Sequence, residues 1–328
     1  MGPSAAVAAC RNAVRADLRD LVGTDSPLVL VAASGGADSL ALLDATCFVA
    51  PRMGIGVGAV TVDHGLQPGS AERARLVAAH AAGAGAAPIS VVHVEVDGRG
   101  GPEAAARRAR YDALDAAARA AGAHAVLLAH TRDDQAETVL LGLARGSGAR
   151  SLSGMAAATG IYRRPLLSLP RSTLAEAADV CALRPWDDPH NRDPAYSRAR
   201  VRHHVLPVLE DELGPGVAAA LARTADLLRD DADALDEWAE REALHLVDEA
   251  DGQVRVDAVG VSGLPRAVRT RVLRRAALRA GTPASDLTAG HVRALDAFVV
   301  GDSRGMTLDL PGSRRARRVG GRLLVAPG

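Results

Sequence analysis

Between residues 28 and 129 the chain carries four short aliphatic runs, at 28–33, 55–62, 89–96 and 125–129, each followed by a helical pattern. Runs this short do not make helices, and near-continuous Val, Leu and Ile is what a strand buried on both faces requires. Strand and helix in regular alternation predict an α/β fold built on a parallel sheet. An Ala-rich amphipathic helix to about residue 22 precedes it, and later helices are expected to begin near Asp38, Ser70, Pro102 and Arg132. Pro102 suits a first helical turn, where its missing N–H has no partner to lose.

The first strand runs directly into Ser34-Gly35-Gly36-Ala37-Asp38-Ser39 and then a helix. Two glycines permit a tight turn and close backbone approach, while the helix N-terminus offers unpaired N–H groups and a positive dipole end to an anion. Ser34 and Ser39 add hydroxyl donors. Asp38 would repel phosphate on its own, so it is expected either to cap the helix or to hold a magnesium ion that bridges to phosphate. In an open parallel sheet, ligands bind beyond the carboxyl ends of the strands, and three of the four strands end in polar groups: Ser34, Asp63-His64-Gly65 and His130. One crevice can collect all three. Two helices add charged faces, with Glu103, Arg107 and Arg110 at i, i+4 and i+7, and Asp133 and Glu137 one turn apart.

Composition narrows the chemistry. The chain has no lysine, so all 39 basic residues are arginines, balanced by 39 acidic ones. That excludes a Walker A phosphate loop, a pyridoxal Schiff base and a lysine-linked nucleotide, and an ATP site must be built another way. With only 2% aromatic residues the core must be aliphatic, and RNA binding must lean on Arg and on shape. Cys10, Cys47 and Cys181 form no CxxC pair and read as small buried hydrophobes in a reducing compartment, not as a metal or iron-sulfur site. No apolar run reaches membrane-spanning length and no signal-peptide pattern is present, so the expected location is the cytosol.

From about 142 to 170 the periodicity fails and Gly, Ser, Arg and Pro take over, and a second loop, WDDPHNRDPAYSRARVRHHVLP, follows. Loops this long call for a functional explanation. An acidic amphipathic helical region covers about 215–250, and two further helices near 264–280 and 288–300 precede short strands around 306–310 and 323–325. The expected division is a catalytic domain at 1–214 and a smaller, mainly helical α+β domain at 215–328.

In this order the motifs SGGADS, VDHGL, EAAARRARY, AHTRDDQAET, RGSGARSLSGM, RPLL and WDDPHNRD resemble the tRNA(Ile)-lysidine synthetase family, a branch of the PP-loop ATPases. The resemblance is dense over roughly the first 210 residues; the C-terminal part is more weakly similar to the family's substrate-binding domain, as in a short form of the family. Gln67 and His190 depart from the commoner Arg and Ser. The resemblance implies a carbon-nitrogen ligase using ATP and Mg2+ to join free lysine to the wobble cytidine of tRNA(Ile) with a CAU anticodon. The cytidine carbonyl oxygen attacks the α-phosphate and releases pyrophosphate; the lysine side-chain amine then displaces AMP.

Carried over, the ATP site falls on Ser34, Gly35, Gly36, Ala37, Asp38 and Ser39, with Asp63 and His64 beside it and Asp38 as the metal ligand. Arg107, Arg110, His130, Asp133 and Glu137 would surround the reacting groups, the arginines offsetting phosphate charge and a carboxylate orienting the lysine ammonium. The stretches 146–164 and 192–204, with Arg198 and Arg202, are expected to hold the flipped nucleotide. Arg271, Arg274 and Arg275, on a predicted helix with no acids of its own, are expected to contact tRNA phosphates. Oligomeric state stays open, with a homodimer among the options. Alternative readings are a tRNA thiolase, a small-molecule amide-forming synthetase, and an RNA-binding protein without catalysis.

Overall fold

The computed structural model describes residues 2–65, 69–95, 102–146, 148–188, 192–250, 252–301 and 306–328, with the side chains of 102–104 excepted. Gln67 and His190, and the side chain of Glu103, lie outside the described residues. Internal contacts divide the chain into two units, 1–228 and 229–328.

In the first unit, α1 (Ala5–Asp17) leads to β1 (Leu28–Ala32), α2 (Ala37–Val49), β2 (Gly56–Asp63), α3 (Ser70–Gly83), β3 (Ile89–His93), α4 (Pro102–Ala121), β4 (Ala125–Leu127) and α5 (Arg132–Ala144). All four expected strands form, each within a few residues of its expected ends. The segment read as loop between 142 and 170 holds one helical turn, α6 (Ala149–Leu152), and a small hairpin, β5 (Ala158–Thr159) and β6 (Tyr162–Arg163). Then come α7 (Arg171–Val180), α8 (Ser197–Arg200) and α9 (Leu206–Glu212).

The six-stranded sheet has the order β3-β2-β1-β4-β6-β5, parallel except for β5. Successive side chains of a strand point to opposite faces, so β1 feeds two cores. Val29 and Val31 pack with α1, α2 and Leu174 of α7, while Leu30 joins Leu114, Ala117 and Ala118 of α4 on the other side. The large, fully buried side chains are Leu and Ile throughout, as the scarcity of aromatics requires. Because β2 and β4 flank β1 on opposite sides, the strand order reverses there. Crossovers leaving β1 and β4 diverge, and a crevice opens at their carboxyl ends.

The long helix α10 (Val217–Leu246) carries the division between the units. It falls there, later than the expected 214, because Ala218 and Leu221 pack on Ala136, Val201 and Leu206 of the first unit. Leu235, Ala239, Ala243 and Leu246 instead join the core of the second. That unit contains β7 (Val247–Ala250), β8 (Gln253–Asp257), α11 (Ala258–Ser262), α12 (Arg266–Arg279), α13 (Ala289–Val300), β9 (Thr307–Leu310), β10 (Arg314–Val319) and β11 (Arg322–Pro327). Its five-stranded antiparallel sheet has the order β7-β8-β11-β10-β9. No described helix is long and apolar enough to cross a membrane.

Candidate active site

A crevice of about 960 Å³ lies beyond the carboxyl ends of β1, β2 and β4. Ser34, Gly36, Ala37, Asp38, Ser39, Asp63, His64, Arg107, Arg110 and His130 all line it, so one cavity gathers what the sequence placed on separate segments.

The phosphate-loop geometry is set by Gly35 and Ser39. Gly35 has φ +87°, and a Cβ there would meet Val77 Cγ2 at 2.9 Å, so the position requires glycine on two grounds. Ser39, almost fully buried, accepts from the Ser34 and Gly35 N–H groups at 3.2 and 3.1 Å and donates to the Gly36 carbonyl at 2.9 Å. Its hydroxyl therefore shapes the loop. α2 starts at Gly36 with no side-chain cap, and its first intrahelical bond comes from the Leu40 N–H. Among the described residues nothing accepts from the N–H groups of Gly36, Ala37 and Asp38, which is the arrangement that receives an anion.

Asp38 takes neither the capping role nor a solvated position. Its carboxylate lies 3.5 Å from Arg171 Nε. Burial pushes its pKa up to about 6 from an ordinary 3.8, against the pull of Arg171. Arg107 stacks on Tyr111 and donates to its hydroxyl at 3.3 Å. Arg110 is buried enough to lower its pKa, with Arg107 and Arg198 adding to the effect, and among the described residues no carboxylate pairs with it. Two guanidiniums facing the same crevice, with no acid paired to them among the described residues, favour an anionic ligand.

Burial disfavours the charged form of both strand-end histidines. It pushes His130 down to about 3 and lowers His64, and each has a buried Nδ1 with no partner among the described residues. Asp63 fixes the loop that follows β2, accepting from the Gly65 N–H at 3.0 Å and facing His93 Nδ1 at 3.3 Å. Hydrogen bonds from Ser70 foremost, then Gly65 and His93, hold its pKa below the usual carboxylate range.

The carboxylates of α5 are distributed differently from the sequence expectation. Asp133 accepts from the Arg171 N–H at 2.8 Å, where it serves the first turn of α7, and it does not line the crevice. Glu137 is fully buried among three arginines, with Arg198 Nε and Arg202 Nε each at 2.7 Å and Arg171 at 3.4 Å. Asp134, passed over in the sequence, is the α5 carboxylate in the crevice wall. It completes a capping box with Thr131 and also receives Arg171 at 2.9 Å and Arg202 at 3.1 Å. Burial works to raise the Asp134 carboxyl; Arg171, Arg198 and the Thr131 backbone outweigh it and hold it below its ordinary value. The physical reason is helical phase, since neighbouring residues differ by about 100° and only one of two adjacent acids can face the crevice. Arg198 and Arg202, one turn apart, likewise hold α5 carboxylates while lining the crevice.

Sequence reasoning also missed Arg171, Arg73 and Trp186, which line the same cavity. Thr131 followed three residues later by an acid was a legible capping signal for Asp134. Arg171 had no local signal, because its partners come from α2 and α5. In the second unit, the acids absent from the α12 sequence are supplied by the C-terminal half of α10: Arg271 Nε meets Asp236 at 2.7 Å and Arg275 Nη2 meets Glu240 at 3.6 Å. That corrects the premise that this arginine face is uncompensated. Arg274 has no ion pair among the described residues and keeps a buried, unpartnered Nη1. No cysteine is among the residues that line the crevice, and burial pushes the thiols of Cys10 and Cys47 up to about 11.

A PP-loop domain family matches residues 11–209, and the TilS substrate binding domain family matches 257–324. The tRNA(Ile)-lysidine synthase of Thermobifida fusca is 60% identical over 326 residues, covering 99% of each chain. That of Streptomyces coelicolor is 52% identical over all of both chains. Among solved structures, the U34-tRNA thiolase NcsA from Methanococcus maripaludis superposes with a TM-score of 0.56 at 19% identity, over 68% of this chain and 80% of that one, a likeness of fold. With a PP-loop match across most of the first unit and relatives more than half identical from end to end, the chain belongs to the tRNA(Ile)-lysidine synthase family.

Proposed function

We propose that this chain uses ATP to join free lysine to the wobble cytidine of a CAU-anticodon tRNA(Ile), through an adenylated cytidine, in the cytoplasm. The observation that carries the reading is the row of unpartnered N–H groups at Gly36, Ala37 and Asp38, in the same crevice as Arg107 and Arg110. Phosphate oxygens satisfy both. The backbone donors hold the leaving pyrophosphate, and the two guanidiniums offset the charge that builds as the cytidine oxygen attacks the α-phosphate. In the uncharged form that burial favours, His64 and His130 can each offer a ring nitrogen to the nucleotide or base without adding charge.

Asp38 is the residue that would hold magnesium shared with phosphates: its half-buried carboxylate lines the crevice beside the loop N–H groups, and no group of three metal-binding side chains among the described residues offers a self-sufficient site. Magnesium so held would neutralise phosphate charge. Asp134 is the carboxylate placed to meet the lysine ammonium, with Glu137 behind it; an ammonium there would compete with Arg171 and Arg202. The second step needs that ammonium to lose a proton before its nitrogen attacks the activated carbon and AMP departs. Arg198 and Arg202, which line the crevice, stay candidates for RNA contact, and Arg274 is the α12 arginine that a phosphate would meet without displacing an acid paired to it among the described residues.

The test is pyrophosphate release with ATP, a CAU-anticodon tRNA(Ile) transcript and a panel of free amino acids. Release that requires the transcript, with product formed only from lysine, is expected. ATP turnover indifferent to the RNA would overturn the reading in favour of a small-molecule synthetase.

A further inference from the structure

The phosphate loop is held from outside by a segment with no assigned role. Trp186 N–H donates to the Gly35 carbonyl at 2.9 Å. The Arg73 guanidinium, from the first turn of α3, sits 3.5 Å above the Trp186 ring centre. Both side chains line the crevice beside Gly36, Ala37 and Asp38. Trp186 is one of only two tryptophans in a chain with 2% aromatics, so a ring at this position is a marked departure from the composition around it.

The carbonyl of Gly35 and the N–H of Gly36 belong to one peptide group, which is planar and trans, so they point in opposite directions. Fixing the carbonyl fixes the N–H. Glycine at both positions leaves this peptide with more rotational freedom than any other in the loop. The N–H groups of Ser34 and Gly35 are already tied to Ser39, which makes the Gly36 N–H the first one left for a ligand. An anchor on the Gly35 carbonyl is therefore where orientation of the donor row is decided.

We propose that Trp186 is a positioning residue for the phosphate site: its N–H sets the direction of the Gly36 donor, and stacking by Arg73 holds Trp186 in place. This rests on the ATP-site reading above. A strap of this kind acts on the phosphates and not on the nucleoside, so its loss discriminates between them. Trp186→Ala keeps the N–H but frees the backbone; Trp186→Phe keeps a ring for Arg73; Arg73→Gln removes the cation from the other side.

Affinities for ATP and for adenosine would be measured by competition, and Trp186 fluorescence followed in a Trp238→Phe background, where it is the only indole. Trp186→Ala and Arg73→Gln should each weaken ATP by about tenfold, the scale of one hydrogen bond to a charged group, with adenosine unchanged and Trp186→Phe restoring most of the loss. ATP, but not adenosine, should shift the Trp186 emission. Equal loss of ATP and adenosine, or a loss that tracks a lowered melting temperature, would overturn the inference and make the contact ordinary packing. ATP affinity unchanged in both variants would overturn it too, while failure of the parent protein to bind ATP would sink the underlying site reading instead.

Discussion

Replacing Asp38 with Asn is expected to stabilise the protein while abolishing pyrophosphate release. The folded state raises the Asp38 pKa from 3.8 to about 6, because burial penalises the charge more than Arg171 compensates it. The folded state thus holds this proton more tightly than the unfolded state, and stability contributed by the protonated form is lost as pH rises from about 4 through about 6. A shift of about two units is worth roughly 3 kcal/mol at neutral pH, and Asn, which carries no charge, should recover about 1–3 kcal/mol of it. For a unit of 228 residues that is a rise of about 3–9 °C in melting temperature. The assay is a melting series from pH 3.5 to pH 8 on both proteins, about the span over which the charge develops. The gap should be near zero at the acid end, open through about pH 4–6 and stay constant above. Equal stability at neutral pH, or a gap that ignores pH, would refute the claim that partial burial of Asp38 costs more than Arg171 returns.

Glu137→Gln should destabilise the fold by about 3–5 kcal/mol in chemical denaturation, since it leaves three arginines around a neutral group; a cost below about 1 kcal/mol would mean the network is solvated. Changing Arg271, Arg274 and Arg275 together to Gln should reduce the salt slope of tRNA binding by about one unit and not three, because Arg271 and Arg275 already face Asp236 and Glu240. A change of about three units in a filter-binding salt series would show that RNA displaces those acids. Iodoacetamide should leave pyrophosphate release intact at neutral pH, as burial keeps the Cys10 and Cys47 thiols protonated; rapid inactivation matched by labelling would revive a sulfur-dependent chemistry.

The parallel sheet was legible because its strands are short and rich in Val, Leu and Ile, a signal purest in β1 and β4; β3, an edge strand with no fully buried residue, shows that the same pattern does not by itself report burial on both faces. The elements that escaped notice lack that signal. β10 reads Arg-Arg-Ala-Arg-Arg-Val, with Ala316 its one buried side chain, and is a strand only because β9 and β11 supply its hydrogen bonds. β7 follows α10 without a break in polarity, so the expected helix ran on to about 250 where the structure turns at Leu246. At the site, residues on strand ends and the glycine loop were legible from position alone. Arg171 was not, and for Asp134 only the capping role was, since which of two adjacent acids faces a crevice, and which arginine reaches it from a distant helix, depends on how α5 and α7 lie against each other.

Arg171 is gripped at both ends by consecutive residues of α5: Asp133 takes its backbone N–H and Asp134 its guanidinium, which also reaches Asp38. Two fixings on neighbouring residues define an angle as well as a distance. A turn of α5 by one residue, or a slide of α7 by one, would release both at once, so the two helices have a single permitted setting, like a keyed shaft. The third contact passes that setting to the phosphate loop. Accuracy at the loop is then inherited from the relative setting of two helices, and a substitution outside the crevice that lets either helix rotate should loosen the site without altering any residue that lines it.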